Sequence, residues 1–68
     1  MENTVKEYKF DLFTATMICE GAEDPESEEQ YYAAWQFLVD TGACWSLQGF
    51  FGREATRLIE EGKIKRKE

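Results

Sequence analysis

The nine residues from Tyr31 to Val39, YYAAWQFLV, hold one clearly polar side chain, Gln36, in a chain of 68 residues. They follow an acidic stretch and read as a helix that is apolar nearly all round. Such a helix has to be covered on more than one side. Little chain is left to cover it, since a domain of ~60 residues buries only about 60% of the surface its unfolded form exposes. Domains of this size usually gain stability from disulfides, a metal or self-association. A partner surface, on another protein or on a second copy, is therefore the first expectation.

The rest of the chain supplies helix signals on either side of this run. Asp11 is placed to cap a first helix. Phe10, Phe13, Thr14, Met17 and Ile18 recur behind it at helical spacing, and Gly21 supplies a stop. Pro25 disfavours helical geometry at Asp24. Ser27-Glu28-Glu29-Gln30 then fits a capping box, with Ser at the cap and Gln three residues on. Glu28 and Glu29 fall in the first turn, where the helix dipole favours negative charge. This second helix is expected to reach Thr41 and stop at Gly42. Ala43 to Ser46 form a turn or a short helical piece. A third helix starts near Ser46 with Leu47, Phe51, Ala55, Leu58 and Ile59 as its apolar stripe, and ends at Gly62. The expectation is an all-α, compact three-helix domain with short turns over residues 10–62. A loose arm at 1–9 precedes it and an exposed basic tail at 63–68 follows, with a homodimer as one way to cover helix two.

Ten aromatic residues could build a workable core in so short a chain. Tyr31, Tyr32, Trp35 and Phe37 are nevertheless too many large rings for one face. Tyr32 and Phe37 are the two expected on a surface patch or dimer contact. Trp45 reads first as a core ring where helices two and three meet, with a partner contact as its alternative. Gly49-Phe50-Phe51-Gly52 places two glycines where a helix is expected, at about 1 kcal/mol each relative to alanine. Either they admit a close neighbour such as a backbone or a Trp ring, or the helix begins only after Gly49. A nucleic-acid-clamping Gly-x-x-Gly loop is a poor match, because the two inner residues are Phe and the strands of that fold are absent from the pattern. Arg53 is expected in a helix-end contact, with Asp40 as candidate partner, or as an anchor in a binding surface. The candidate partner-binding residues are thus Tyr32, Phe37, Trp45, Gln48, Phe50 and Arg53.

Charge is polarised along the chain. Residues 1–42 hold ten acids and two bases, a balance of −8, whereas 43–68 hold four acids and six bases, a balance of +2. Six acids crowd between Glu20 and Glu29, and Lys63, Lys65, Arg66 and Lys67 gather at the other end. Solubility and helix-end electrostatics account for both. A sharper reading makes the acidic cluster a repellent or a mimic of nucleic acid. No basic-then-apolar leader opens the chain, so a reducing cytoplasm is expected, with Cys19 and Cys44 as buried thiols rather than a bridge.

Catalytic templates do not fit. Histidine is absent, so no Ser or Cys nucleophile has its usual base, and a zinc site would need carboxylates for half its ligands. There is no phosphate-binding Gly-rich loop followed by Lys-Ser/Thr. The carboxylates cluster in a solvated loop, unlike a pair held in a pocket with divided pKa values. No enzyme activity, cofactor or metal is expected.

The segment from Asp40 to Gly62, DTGACWSLQGFFGREATRLIEEG, resembles a pattern in small proteins encoded by tailed bacteriophages. The matching residues are Asp40, Thr41, Gly42, Trp45, Leu47, Gln48, Gly49, Phe51, Gly52, Arg53, Ala55, Leu58, Ile59, Glu60 and Gly62. The pattern more often carries one ring after Gly49, here doubled as Phe50-Phe51, and the basic tail looks peculiar to this chain. The resemblance implies a phage origin, a bacterial host cell as setting, and no assigned catalytic residues. The leading expectation is a non-enzymatic interaction protein that binds a host defence, transcription or replication protein. Two alternatives stand beside it: a helix-turn-helix-like nucleic-acid binder using Gln48, Arg53, Arg57 and the tail, and an acidic DNA mimic.

Overall fold

The structure, a computed structural model, describes residues 9–47 and 49–66. The described residues form four helices and no strand: α1 (Leu12–Cys19), α2 (Glu28–Thr41), α3 (Ala43–Ser46) and α4 (Gly49–Glu60). The architecture is all-α as expected. The piece after Gly42 is a helix in its own right, and the last helix begins at Gly49 rather than near Ser46. The expected arm at 1–9 lies, except for Lys9, outside the described residues.

Helix ends form where the sequence marks them. Asp11 Oδ1 accepts the Thr14 N–H at 2.7 Å, and that bond holds its carboxyl below the usual carboxylate range. Ser27 Oγ accepts the Gln30 N–H at 3.1 Å. The reciprocal half of the box is shifted by one residue, because Gln30 Oε1 accepts from the Glu26 N–H at 2.6 Å. α1 and α4 stop in the same way. Gly21 and Gly62 take φ of +88° and +80°, and Ala22 and Lys63 donate back to Met17 and Leu58 at 3.0 and 2.9 Å. This closure satisfies carbonyls that the helix itself leaves without partners.

α2 is the central element. Its buried residues are Ala34, Trp35, Leu38 and Val39. α1 covers one side with Ala15, Ile18 and Cys19, while Cys44, Phe51, Ala55, Leu58 and Ile64 complete a single apolar core. No polar or charged residue is buried among those described. Trp35 is fully enclosed with the Phe50 and Phe51 rings 6.1 and 5.9 Å away, and its indole N–H meets no acceptor.

Three expected placements are corrected. Phe13, assigned to the inner stripe of helix one, is 70% exposed, and its place is taken by Ala15. A small residue fits fully buried on the inner side of α1, where a Phe ring would need far more room. Trp45 is not a core ring, being 49% exposed. The tail is only partly free: Lys63, Lys65 and Arg66 are exposed, but Ile64 is buried. Cys19 and Cys44 are free and buried. Burial, with Cys44 nearby, pushes the Cys19 thiol up to about 12, and burial raises the Cys44 thiol too.

Candidate interaction surface

The passage from α2 to α3 is built by Asp40-Thr41-Gly42. Thr41 Oγ1 donates to Phe37 O at 3.0 Å and accepts from the Ala43 N–H at 3.3 Å. Gly42 takes φ of +81°, at once ending α2 and opening α3. α3 then carries Trp45 out to the side of α4. Its ring lies against Gly52: a Cβ built there would sit 3.5 Å from Trp45 Cε3 and 3.8 Å from Cys44 O. The glycine therefore admits a Trp ring, one of the two explanations its presence suggested. The other also holds in part, since Gly49 is the first residue of α4.

Phe50 is the next exposed ring, at 43%. Its inner side stands edge-on to Phe51 at 5.1 Å and to Trp35 at 6.1 Å. Arg53 is exposed and folds back toward the start of the helix, with Nη1 3.0 Å from the position a Gly49 Cβ would take. Successive helical residues turn by about 100°. Going round α4 on the side away from the core, the order is Gly52 with Trp45 upon it, Gly49, Arg53, then Phe50. A cation thus stands between two half-exposed rings.

Among the described residues Arg53 makes no ion pair. The expected contact with Asp40 does not form; Asp40 Oδ1 accepts from Gln36 Nε2 at 3.0 Å. Arg57 behaves differently. It pairs with Glu54, as its spacing predicts, and its Nη1 reaches Glu61 Oε2 at 2.7 Å. Those bonds raise the Arg57 pKa and lower that of Glu54.

Of the six candidate residues, Trp45, Phe50 and Arg53 come together here. Gln48 lies outside the described residues. Tyr32 and Phe37 sit elsewhere on α2 and are half-buried rather than displayed. Phe37 packs on Phe10, centroids 5.8 Å apart, and Tyr32 packs edge-on to Tyr31 at 5.4 Å. Sequence reasoning missed Leu12 and Phe13, which are exposed at the start of α1, and it gave no role to Gln36. The signal for Gln36 was available, as the lone polar side chain in an apolar run.

Among the described residues no group of three potential metal ligands gathers and no pocket forms. None of the helices is long and apolar enough to cross a membrane. The fold is a small helical domain displaying an aromatic–arginine corner. Residues 23–68 match a family described as a domain of unknown function (DUF7417), and the chain belongs to that family. The match takes in α2, α3, α4 and the C-terminal residues and leaves α1 outside. No curated protein and no solved structure matches.

Proposed function

We propose that this protein is a non-enzymatic interaction module that binds another protein through the α3–α4 corner and acts by occupying that protein's surface. The observation that carries the reading is Arg53, exposed and without an ion pair among the described residues, between the half-exposed rings of Trp45 and Phe50. Trp, Phe and Arg are residue types that anchor interfaces, because they bury large areas with few lost rotamers and Arg adds a planar cation. The matching patch on the partner would offer an apolar surface beside a carboxylate. The resemblance to small tailed-phage proteins supports a phage origin and a host protein of the bacterial cytoplasm as that partner. The nucleic-acid reading draws less support. It needs Arg57, whose guanidinium is already held between Glu54 and Glu61.

The test is affinity capture from bacterial lysate with the tagged chain and with a Trp45→Ala/Phe50→Ala variant whose circular dichroism matches it. The expected result is a reproducible partner held by the chain and lost by the variant. Equal retention by both, or no reproducible partner, refutes the reading. Duplex DNA binding that weakens steeply with salt would instead favour the alternative.

A further inference from the structure

Gln36 is bonded at both ends of its amide. Its Oε1 accepts from the Lys65 N–H at 2.8 Å, and its Nε2 donates to Lys65 O at 2.7 Å and to Asp40 Oδ1 at 3.0 Å. A side-chain amide carries the same donor and acceptor as a peptide group. Gln36 therefore grips the main chain of one residue much as a neighbouring strand would. That grip is blind to the Lys65 side chain, so any selectivity comes from the surroundings. Ile64, one residue before, is buried in the core at 5% exposure. Lys63, one further back, holds its Nζ 5.7 Å from the Tyr32 ring centroid.

Glu28, Tyr32, Gln36 and Asp40 are four residues apart along α2 and so form one row on its surface. One such step rises about 6 Å along the helix, and two residues of chain reach at most about 7 Å. The segment thus meets the row at two successive positions, the Lys63 side chain at Tyr32 and the Lys65 main chain at Gln36. The row has a carboxylate at each end and an aromatic ring and an amide between them. Its charge and its spacing both suit what now lies on it.

We propose that this row is a docking strip for a short basic–aliphatic–basic segment of a partner protein, which Lys63, Ile64 and Lys65 occupy as an internal placeholder. The ligand is a polypeptide and not a nucleic acid: Gln36 reads a peptide N–H and C=O, and Glu28 and Asp40 repel phosphates. The placeholder is held by one buried aliphatic side chain, the two amide bonds, one exposed cation–ring contact and the Lys63 N–H bond to Leu58 O that closes α4. A segment with the same pattern and bases reaching Glu28 or Asp40 repeats the Ile64, Gln36 and Tyr32 contacts of the tail and adds ion pairs. This strip is distinct from the α3–α4 corner, and either surface can fail its test without the other.

The probe is the N-acetylated, amidated peptide Lys-Ile-Lys-Arg, titrated into the full chain and followed by nitrogen–proton NMR spectra. Tethering gives the chain's own tail a millimolar effective concentration, so binding to the unaltered protein is expected only at millimolar peptide. Peptide binding should shift the Gln36 side-chain amide and speed hydrogen exchange at the Lys65 N–H as the tail is displaced. Lys65→Pro removes the N–H that Gln36 Oε1 accepts while leaving Ile64 in place. It should tighten peptide binding by about tenfold, the worth of one such hydrogen bond. Adding Gln36→Ala to that variant should abolish binding, and a peptide with Asp in place of Ile should not bind. Lack of binding to Lys65→Pro at millimolar peptide, or binding that survives Gln36→Ala, overturns the proposal. Should Lys65→Pro fail to fold, the unaltered chain decides: peptide binding that leaves exchange at Lys65 unchanged is binding elsewhere and equally overturns it.

Discussion

Gly52 and Gly42 are both glycines in or beside a helix, yet replacing each with alanine should move stability in opposite directions. Gly52 lies inside α4 with helical geometry, and a Cβ there meets Trp45 Cε3 at 3.5 Å, an ordinary contact distance. Alanine is better than glycine in a helix interior by about 0.8–1.0 kcal/mol, and here it fits without pushing anything aside. Gly42 has nothing within 4 Å of its missing Cβ, but its φ is +81°. Placing an L side chain in that region costs about 1–2 kcal/mol. The lower entropy of an unfolded chain carrying alanine offsets about 0.4–1 kcal/mol of this. The net loss for Gly42→Ala is then about 0–1.6 kcal/mol, centred near 0.8, from the same two principles. For a domain of this size about 1 kcal/mol corresponds to roughly 4–8 °C in melting temperature. Thermal melts followed by far-ultraviolet circular dichroism should show Gly52→Ala above the parent and Gly42→Ala below it by several degrees. Gly52→Leu adds a third arm: its larger side chain must displace the Trp45 ring, so the melt falls and Trp emission shifts toward the solvated value. A lower melting temperature for Gly52→Ala would refute the ordinary contact between that Cβ and Trp45, and a higher one for Gly42→Ala would refute the cost assigned to its positive φ.

The other predictions concern caps, thiols and surface charge. Ser27→Ala should cost about 1 kcal/mol in urea unfolding, since it strands the Gln30 N–H at the start of α2. Cys19 and Cys44 should react with a thiol reagent at pH 8 only on the timescale of unfolding, because both are buried and neither is ionised there. The pH dependence has a definite sign. The Cys19 thiol loses its proton near 9.0 when unfolded and near 12 when folded. Between those values the unfolded chain binds fewer protons, so stability falls as pH rises through that window. Arg57→Ala should barely move the melt, because both of its ion pairs stand at the surface.

Residues that act on their own backbone neighbours were readable from the sequence. Asp11, Ser27, Gly21, Gly42 and Gly62 mark their helix ends through bonds and dihedrals within a few residues, and each does so in the structure. What depends on orientation was harder to read. α1 is LFTATMIC, apolar on nearly every side, so its periodicity names no inner face. Ala15, a small residue, is fully buried, and Phe13 faces solvent. Trp45 belongs to a helix of four residues, too short to have a stripe. Its position follows from the gap at Gly52, a contact between two elements that no local pattern records. The basic tail was read by its charges, and Ile64, the residue that docks it, carries none.

The excess of ring surface that made a partner the first expectation lies in a different place from where it was sought. α2 is covered by its own chain. Its position in the middle of the fold gives it α1 on one side and α3, α4 and Ile64 on the others, so Trp35, Leu38 and Val39 are enclosed. Making α2 central has a consequence for the shorter elements around it. Each has to turn its inner face toward α2, and none is left to cover their outer faces. Leu12 and Phe13 on α1, Trp45 on α3 and Phe50 on α4 are therefore the rings and side chains left in water. Of these, Trp45 and Phe50 flank Arg53, a cation without an ion pair among the described residues. The case for recognition thus rests on the α3–α4 corner, and Gln36, the lone polar side chain in the apolar run of the central helix, serves a different purpose, holding a peptide main chain at its surface.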